Sequence, residues 1–190
     1  KGIIPEKFIS LKITNFSDAC SYVHQLPYGY NSTTDDILIL FKEGYGYCTT
    51  KHAVIATLAV ELNIPIYKTV GIYAMNEEIV TGTNRILGKY HLPYLPMLHC
   101  FLVYNSYRID LTEGNKNGKN RSIEAFLFTE KVIPNISEKD EYLLYKTALK
   151  NHILNRKEME GINTRSFARS TYFCSAFLVD SYSAFSSDAP

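Results

Sequence analysis

Cys48 has the sequence surroundings of a nucleophile. It follows a short loop with two glycines, Gly44 and Gly46, and it comes directly before a long apolar pattern typical of a helix. A thiol at the start of a helix lies at the positive end of the helix dipole, which favours the reactive thiolate. The pattern therefore predicts a nucleophilic role for Cys48. The competing interpretation is a small buried cysteine that only fills space, which is the more common role of a single cysteine.

A nucleophilic thiol needs a base, and the base needs an orienting group. The runs before and after Asn105-Ser106 are strand-like, which predicts a tight hairpin with these two residues in the turn. His99 and Asp110 are then diagonal neighbours on one face, with backbones about 7–8 Å apart, close enough for the carboxylate to reach the ring. Cys100 points to the opposite face. The hairpin therefore predicts His99 as the base and Asp110 as its orienting group.

Periodicity places a long helix directly after Cys48. Its apolar stripe continues to Leu62, Pro65 prevents further helix, and a strand through about Met75 follows. The other expected elements are a strand or extended arm within 1–16, helices over 17–26 and 32–44, an irregular crossing over 76–96, the hairpin, an apolar segment within 123–136, and a helix over 137–160.

These elements predict an α+β protein in which a central helix with an N-terminal cysteine packs on an antiparallel sheet. We expect a single domain over 1–190, because 190 residues with 46% hydrophobic composition fit one core. The serine-rich stretch 161–190 is expected to be a loosely attached tail, with 172–179 as its last ordered element.

The composition excludes several classes of partner. Lysine and arginine total 20 against 19 aspartates and glutamates, so the basic surface of a nucleic-acid-binding protein is not expected. No apolar run is long enough to cross a bilayer, and the N-terminus lacks the pattern of a signal peptide, so we expect no membrane partner and a cytoplasmic location. Four widely spaced cysteines predict free thiols rather than a disulfide framework.

Two Cys-x-x-x-His pairs raise the alternative of a zinc site. Cys20 and His24 form one pair and Cys48 and His52 form the other, and this spacing places both members on one helix face. The Cys-x-x-Cys spacing of zinc knuckles is missing and the neighbouring residues are apolar. We therefore expect no metal, and we interpret His52 as a packing residue or a support for the site.

Three segments carry a resemblance to a known family. They are LPYG at 26–29, GYGYCTTKHAVIATLAVELNIP at 44–65 and LHCFLVYNSYRIDLT at 98–112. Together they resemble the transglutaminase-like superfamily of cysteine enzymes, which share a papain-like core. In that family a cysteine opens the central helix, a histidine follows on a strand, and an aspartate sits on the next strand. The resemblance covers about residues 20 to 112 and implies the same papain-like core here.

The resemblance also implies roles for individual residues. Cys48 would be the nucleophile, His99 the general base and then acid, and Asp110 the orienting carboxylate. The backbone N–H of Cys48 is one expected donor to the oxyanion. The candidates for a second oxyanion or substrate-binding group are Tyr45, Gln25 and Tyr28. The tryptophans that many family members carry around the site are missing, and tyrosines are expected in their place.

The implied function is that of a cysteine-dependent acyl hydrolase or acyl transferase. It would act on amide bonds of peptide or protein substrates through a thioester, with protease or amidase activity preferred over cross-linking. No organic cofactor is expected, and no acidic loop with calcium-ligand spacing occurs. The alternative function is a non-catalytic peptide- or protein-binding module that retains the fold.

Overall fold

The computed structural model describes residues 2–162 of the chain, so the expected tail with its element at 172–179 lies almost entirely outside the described residues. Helices and strands are both present, which confirms the α+β class. The helices are α1 Ile3–Ser10, α2 Phe16–Gln25, α3 Ile39–Glu43, α4 Cys48–Glu61, α5 Thr83–Tyr90 and α6 Glu138–Ala148. The strands are β1 Tyr67–Met75, β2 Leu95–Tyr104, β3 Tyr107–Ile109 and β4 Phe128–Val132. A π-helical turn, Leu149–Ile153, and a 3-10 turn, Lys157–Met159, follow α6.

The described chain divides into two compact units. The first contains the residues up to Gly71, together with His99–Asn117 and Thr129–Tyr142. The second contains Ile72–Leu98, Gly118–Phe128 and the described residues from Leu143 onward. The four strands form one sheet in the order β3-β2-β1-β4.

Helix α4 is the central element of the first unit. Its start at Cys48 follows Tyr47, whose extended backbone donates its N–H to Thr50 Oγ1 at 3.2 Å. Eleven of its 14 residues are buried, so the helix is enclosed on nearly all sides. Asn63, with φ of 55°, terminates the helical path in the left-handed conformation that favours asparagine. The predicted helix and its termination are confirmed.

The predicted hairpin is also confirmed. Strands β2 and β3 are antiparallel, with Tyr104 opposite Tyr107. Asn105 and Ser106 have φ of 46° and 66°, the positive values that a tight two-residue hairpin turn requires. Because β3 has only three residues and ends at Ile109, Asp110 lies immediately after the strand.

The expectation of a strand or extended arm at the N-terminus is wrong, because α1 occupies this stretch. Ile4 and Phe8, four residues apart, are both buried in the apolar core of the first unit. The Glu61 carboxylate accepts the N–H groups of Ile3 and Ile4, each at 3.1 Å, and so satisfies donors in the first turn of α1. Glu61 lies 58 residues after Ile3, so no local sequence pattern indicates that it caps this helix.

The second unit contains a helix that the sequence pattern did not predict. Helix α5 begins after Gly82, and the Glu77 carboxylate accepts the N–H groups of Gly82 at 2.8 Å and Asn84 at 2.7 Å. The unit has its own apolar core. Its least exposed members are Ile72, Met75, Leu95 and Ile153.

Candidate functional site

His99 and Asp110 lie side by side in the first unit. His99 Nε2 is 2.6 Å from Asp110 Oδ2, and the His99 residue is only 2% exposed. The other carboxylate oxygen accepts hydrogen bonds from Thr112 N at 2.8 Å and Thr112 Oγ1 at 2.7 Å. The expected proximity of the two predicted residues is therefore confirmed.

The environment of Asp110 keeps it ionised. Burial acts to raise the pKa of this carboxyl, but the hydrogen bond and the positive charge of a protonated His99, together with the hydrogen bond from Thr112, outweigh burial, and the pKa lies well below its usual range. An ionised carboxylate accepts hydrogen bonds and donates none, so His99 Nε2 is the donor in the pair. The other ring nitrogen, Nδ1, is then the atom of His99 that can take a proton from a thiol.

His52 links the first turn of α4 to the chain around Asp110. Its Nδ1 lies 2.7 Å from the carbonyl oxygen of Cys48, and its Nε2 accepts the backbone N–H of Leu111 at 2.8 Å. Its Nε2 is also 3.5 Å from Asp110 Oδ1. The side chain is completely buried, and burial lowers the pKa of His52 to about 4. His52 is therefore neutral at physiological pH.

Leu111 is held by a second histidine. His24, on α2, lies with Nδ1 3.1 Å from the Leu111 carbonyl oxygen, so both backbone polar groups of Leu111 bond to imidazoles. Lys51 and Asn115 in turn donate to the carbonyl oxygens of His24 and Leu26 at the end of α2. Three parts of the chain thus meet at the residue that follows Asp110.

Cys48 is the first residue of α4 and is 5% exposed. Its side chain is hydrogen-bonded with that of Cys100, and burial together with this bond raises the pKa of Cys100 well above the ordinary value. The Cys100 thiol also lies 3.6 Å from Thr49 Oγ1. His99 is thus bonded to Asp110, and the neighbouring Cys100 to Thr49 and Cys48.

Two charged residues near Cys48 were missed by sequence reasoning. Glu141, from the first turn of α6, accepts hydrogen bonds from Cys100 Sγ at 3.5 Å and Thr49 Oγ1 at 3.3 Å. Burial raises the pKa of Glu141. Lys68, on β1, is fully buried and donates to the Thr49 carbonyl at 3.2 Å. Neither residue lies in a motif, so only the three-dimensional fold associates them with the thiols.

The loop before Cys48 pairs with the LPYG segment at two glycines, Gly29 and Gly46. Tyr28 and Gly46 form a bridge in which Gly29 N–H donates to Gly46 O at 3.3 Å, and Gly46 N–H donates to Pro27 O at 3.1 Å. A Cβ at position 46 would lie 2.5 Å from Leu40 Cδ1 and 2.7 Å from Thr50 Oγ1, so any larger residue there would force these side chains to shift. This bridge places the LPYG segment next to the loop before Cys48.

The three candidates for the second oxyanion donor occupy different places. Gln25 is exposed at the last residue of α2. The Tyr28 ring packs edge-on against Tyr30, with centroids 6.3 Å apart. The Tyr45 hydroxyl is hydrogen-bonded to Glu43, and its ring lies over Gly29. Their participation as oxyanion donors stays a prediction.

Comparison with protein-family models, with curated proteins and with solved structures found no match.

The zinc alternative has no support in the described part of the chain. Within residues 2–162, no group of three or more histidine, cysteine, aspartate or glutamate side chains is arranged to hold a metal ion. His52 uses both ring nitrogens in hydrogen bonds to the backbone.

Within residues 2–162, no helix combines the length and apolar character that crossing a membrane requires.

Proposed function

We propose that this protein is a cysteine-dependent acyl hydrolase or acyl transferase that acts on amide bonds of peptides or proteins. The observation that carries the proposal is the 2.6 Å pair between His99 and Asp110, whose chain neighbour Leu111 is linked through His52 to the helical turn that begins with Cys48. A thiol at a helix start and a histidine held by an ionised carboxylate are the groups that thiol catalysis needs.

The proposed reaction starts when Cys48 Sγ attacks the carbonyl carbon of the substrate. His99 Nδ1 takes the thiol proton, and the Asp110 carboxylate stabilises the imidazolium that forms. The tetrahedral intermediate collapses as the C–N bond breaks, and His99 donates its proton to the departing amine. Water or a second amine then attacks the thioester carbon and gives its proton to His99. The C–S bond breaks, the acyl product leaves, and His99 returns the proton to the Cys48 sulfur.

The order of these elements supports a transglutaminase-like, papain-like core. A helix begins with Cys48, a later strand carries His99, and Asp110 follows the next strand, which is the order that the resemblance implies. The first unit alone supplies all three residues.

Selective alkylation tests the proposal. With iodoacetamide near neutral pH, we expect Cys48 to react at least tenfold faster than Cys20, Cys100 and Cys174, as measured by peptide mass spectrometry. Burial raises the pKa of Cys20 to about 11, so Cys20 serves as an internal slow thiol. The rate at Cys48 should fall in His99→Ala. Equal, slow labelling of all four cysteines would contradict the proposal.

Hydrolysis and transfer are separated by adding an amine. Wild-type protein and Cys48→Ser are incubated with a peptide library, with and without a fluorescent primary amine. New carboxyl ends that need Cys48 indicate hydrolysis, and incorporated fluorophore indicates transfer. We expect hydrolysis to dominate.

The burial of the reacting groups favours a second candidate, a non-catalytic peptide- or protein-binding module. Cys48 is 5% exposed and His99 only 2%, so the two groups are largely covered. Peptide selection on Cys48→Ser tests this alternative. Peptides that bind both variant and wild-type protein, and that wild-type protein never cleaves or acylates, would support the module.

A further inference from the structure

His52 has a geometry that defines its protonation state. A carbonyl oxygen only accepts hydrogen bonds, so Nδ1, 2.7 Å from the Cys48 oxygen, must carry a proton. A backbone N–H only donates, so Nε2, 2.8 Å from Leu111 N, must have a lone pair. His52 is therefore the neutral Nδ1–H tautomer, and both of its nitrogens are used to hold backbone.

The two backbone groups belong to the two halves of the proposed site. The Cys48 carbonyl lies in the first turn of α4, and Leu111 directly follows Asp110. We propose that His52 is a positioning residue that holds the turn carrying Cys48 in register with the segment carrying Asp110. This inference rests on the proposed function, because the register matters only if Cys48 and the His99–Asp110 pair act together.

The bond to Leu111 is the more important of the two. The Cys48 carbonyl also accepts the N–H of residue 52 within the helix, in the ordinary pattern of four-residue spacing. Leu111, in contrast, is 5% exposed and donates its N–H to the His52 ring, and a buried N–H that loses its acceptor is costly. Loss of this acceptor should therefore displace Asp110, and with it His99.

Because His52 is neutral, it does not compete with His99 for the Asp110 carboxylate. Its Nε2 lies 3.5 Å from Asp110 Oδ1 but has no proton to donate, so the carboxylate stays the partner of His99. The groups that face His52 are Asp110, Cys48 and His99, whose ring centroid is 6.3 Å away. A proton on Nε2 would remove the acceptor for Leu111 and compete with His99 for Asp110.

Two substitutions separate the two bonds. In His52→Gln the amide group occupies the place of Nε2, so its oxygen can still accept the Leu111 N–H. In His52→Asn the amide group occupies the place of Nδ1, which keeps a donor to Cys48 but leaves Leu111 without its acceptor. Circular dichroism and thermal unfolding confirm folding, and alkylation is measured below the lower melting range of the two variants.

The readout is the pH profile of Cys48 alkylation between pH 5 and 9. We expect His52→Gln to retain the rate within about threefold and the wild-type profile, and His52→Asn to lose tenfold or more and to follow the profile of a simple thiol. Equal rates per folded molecule in both variants would overturn the positioning role. If wild-type protein itself shows a simple-thiol profile that His99→Ala leaves unchanged, the proposed function fails instead.

Nitrogen NMR of the histidine rings gives a readout that does not depend on reactivity. We expect His52 to remain the Nδ1–H tautomer from pH 5 to 9 in wild-type protein, as its lowered pKa of about 4 requires. Observation of the Nε2–H tautomer, or of titration above pH 6, would overturn the inference whether or not the protein is an enzyme.

Discussion

The thiols of the described chain differ in their electrostatic surroundings. Burial raises the pKa of Cys20 to about 11, and burial and the bond to Cys48 raise that of Cys100 well above its ordinary value. Cys48 alone among the three begins a helix, where the dipole favours the thiolate. We therefore expect Cys48 to be the most reactive of these three thiols, although it is 5% exposed.

Asp110→Asn tests the orienting carboxylate. The amide oxygen can still accept the His99 N–H, but without the charge the imidazolium is not stabilised. If the protein is an acyl hydrolase, we expect kcat/KM to fall by roughly 10²–10⁴-fold, the usual contribution of general acid–base catalysis. Glu113→Gln, an exposed acid three residues away, is the matched control and should retain the wild-type rate. A normal rate in Asp110→Asn would exclude this role.

Glu141→Gln tests the acid that lies among the thiols. Burial raises the pKa of Glu141, so the folded protein holds this proton to higher pH than the unfolded chain, whose glutamates titrate near 4.3. The contribution of Glu141 to stability is therefore lost as pH rises above about 4.3. Glutamine still accepts from Cys100 and Thr49 but has no charge.

We expect Glu141→Gln to gain stability relative to wild-type protein as pH rises from 4 to 8, measured by urea unfolding. Exposed Glu130→Gln, on β4, is the control and should show no such trend. A difference that stays constant with pH would contradict the effect of burial on Glu141.

The sequence predicted some site residues and missed others for a physical reason. His99 and Asp110 share a two-residue turn and a strand alternation, both of which are local properties of the chain. Glu141 meets Thr49 from 92 positions away, and Lys68 meets it from 19. Such contacts depend on how α6 and β1 pack, which no short pattern encodes.

At the scale of elements, α2 and α4 are joined by a buried cation. Lys51 is fully buried and donates from Nζ to the carbonyl oxygens of His24 at 3.1 Å and Leu26 at 2.5 Å. These carbonyls end α2, where unpaired acceptors and the negative end of the helix dipole favour a positive charge. The bond thus stabilises the turn that leads to the LPYG segment.

The ionisation of Lys51 should make the free energy of unfolding depend on pH in the alkaline range. Burial lowers the pKa of Lys51 to about 8, whereas lysine in an unfolded chain titrates near 10.4. Between these values the unfolded state binds more protons, so stability attributable to this group rises with pH from about 8 to about 10.4.

Comparison with Lys51→Met isolates that contribution. We expect wild-type protein to gain stability relative to Lys51→Met over this range in urea unfolding experiments, while exposed Lys146→Met shows no such change. A relative loss over the same range would contradict the sign of the shift.

Elements with strong local signals were predictable. Helix α4 has a clear apolar pattern with Asn63 and Pro65 after it, and the hairpin has turn residues that accept positive φ. Helix α1 was not predictable as a helix, because its buried residues are few and its cap, Glu61, is distant.

At the scale of the whole molecule, the site combines distant parts of the chain within one compact unit. Residues from α2, α4, the hairpin and the first turn of α6 all belong to the first unit. Because the His99–Asp110 pair exists only when this unit is folded, global stability should respond to the ionisation of Asp110.

Acid unfolding tests this coupling. The pKa of Asp110 is lowered in the folded state, so its contribution to stability is present above the unfolded value of about 3.9 and is lost as pH falls below it. We expect the fall in unfolding free energy between pH 6 and pH 3 to be smaller in Asp110→Asn than in wild-type protein.

The control for this experiment must be an acid without a structural hydrogen bond. Exposed Asp35→Asn would not serve, because Asp35 accepts the Glu138 N–H. Glu113→Gln is suitable and should show the wild-type slope. An identical slope in Asp110→Asn would refute the coupling.

The most direct test is the pKa of the Cys48 thiol, measured from thiolate absorbance near 240 nm as the difference between wild-type protein and Cys48→Ser. A thiol paired with His99 at a helix start should ionise at least about one unit below the ordinary value of about 8.5. The same titration in His99→Ala should show the pKa moving upward. A Cys48 pKa at or above 8.5 that does not change in His99→Ala would contradict the assignment of Cys48 as the nucleophile.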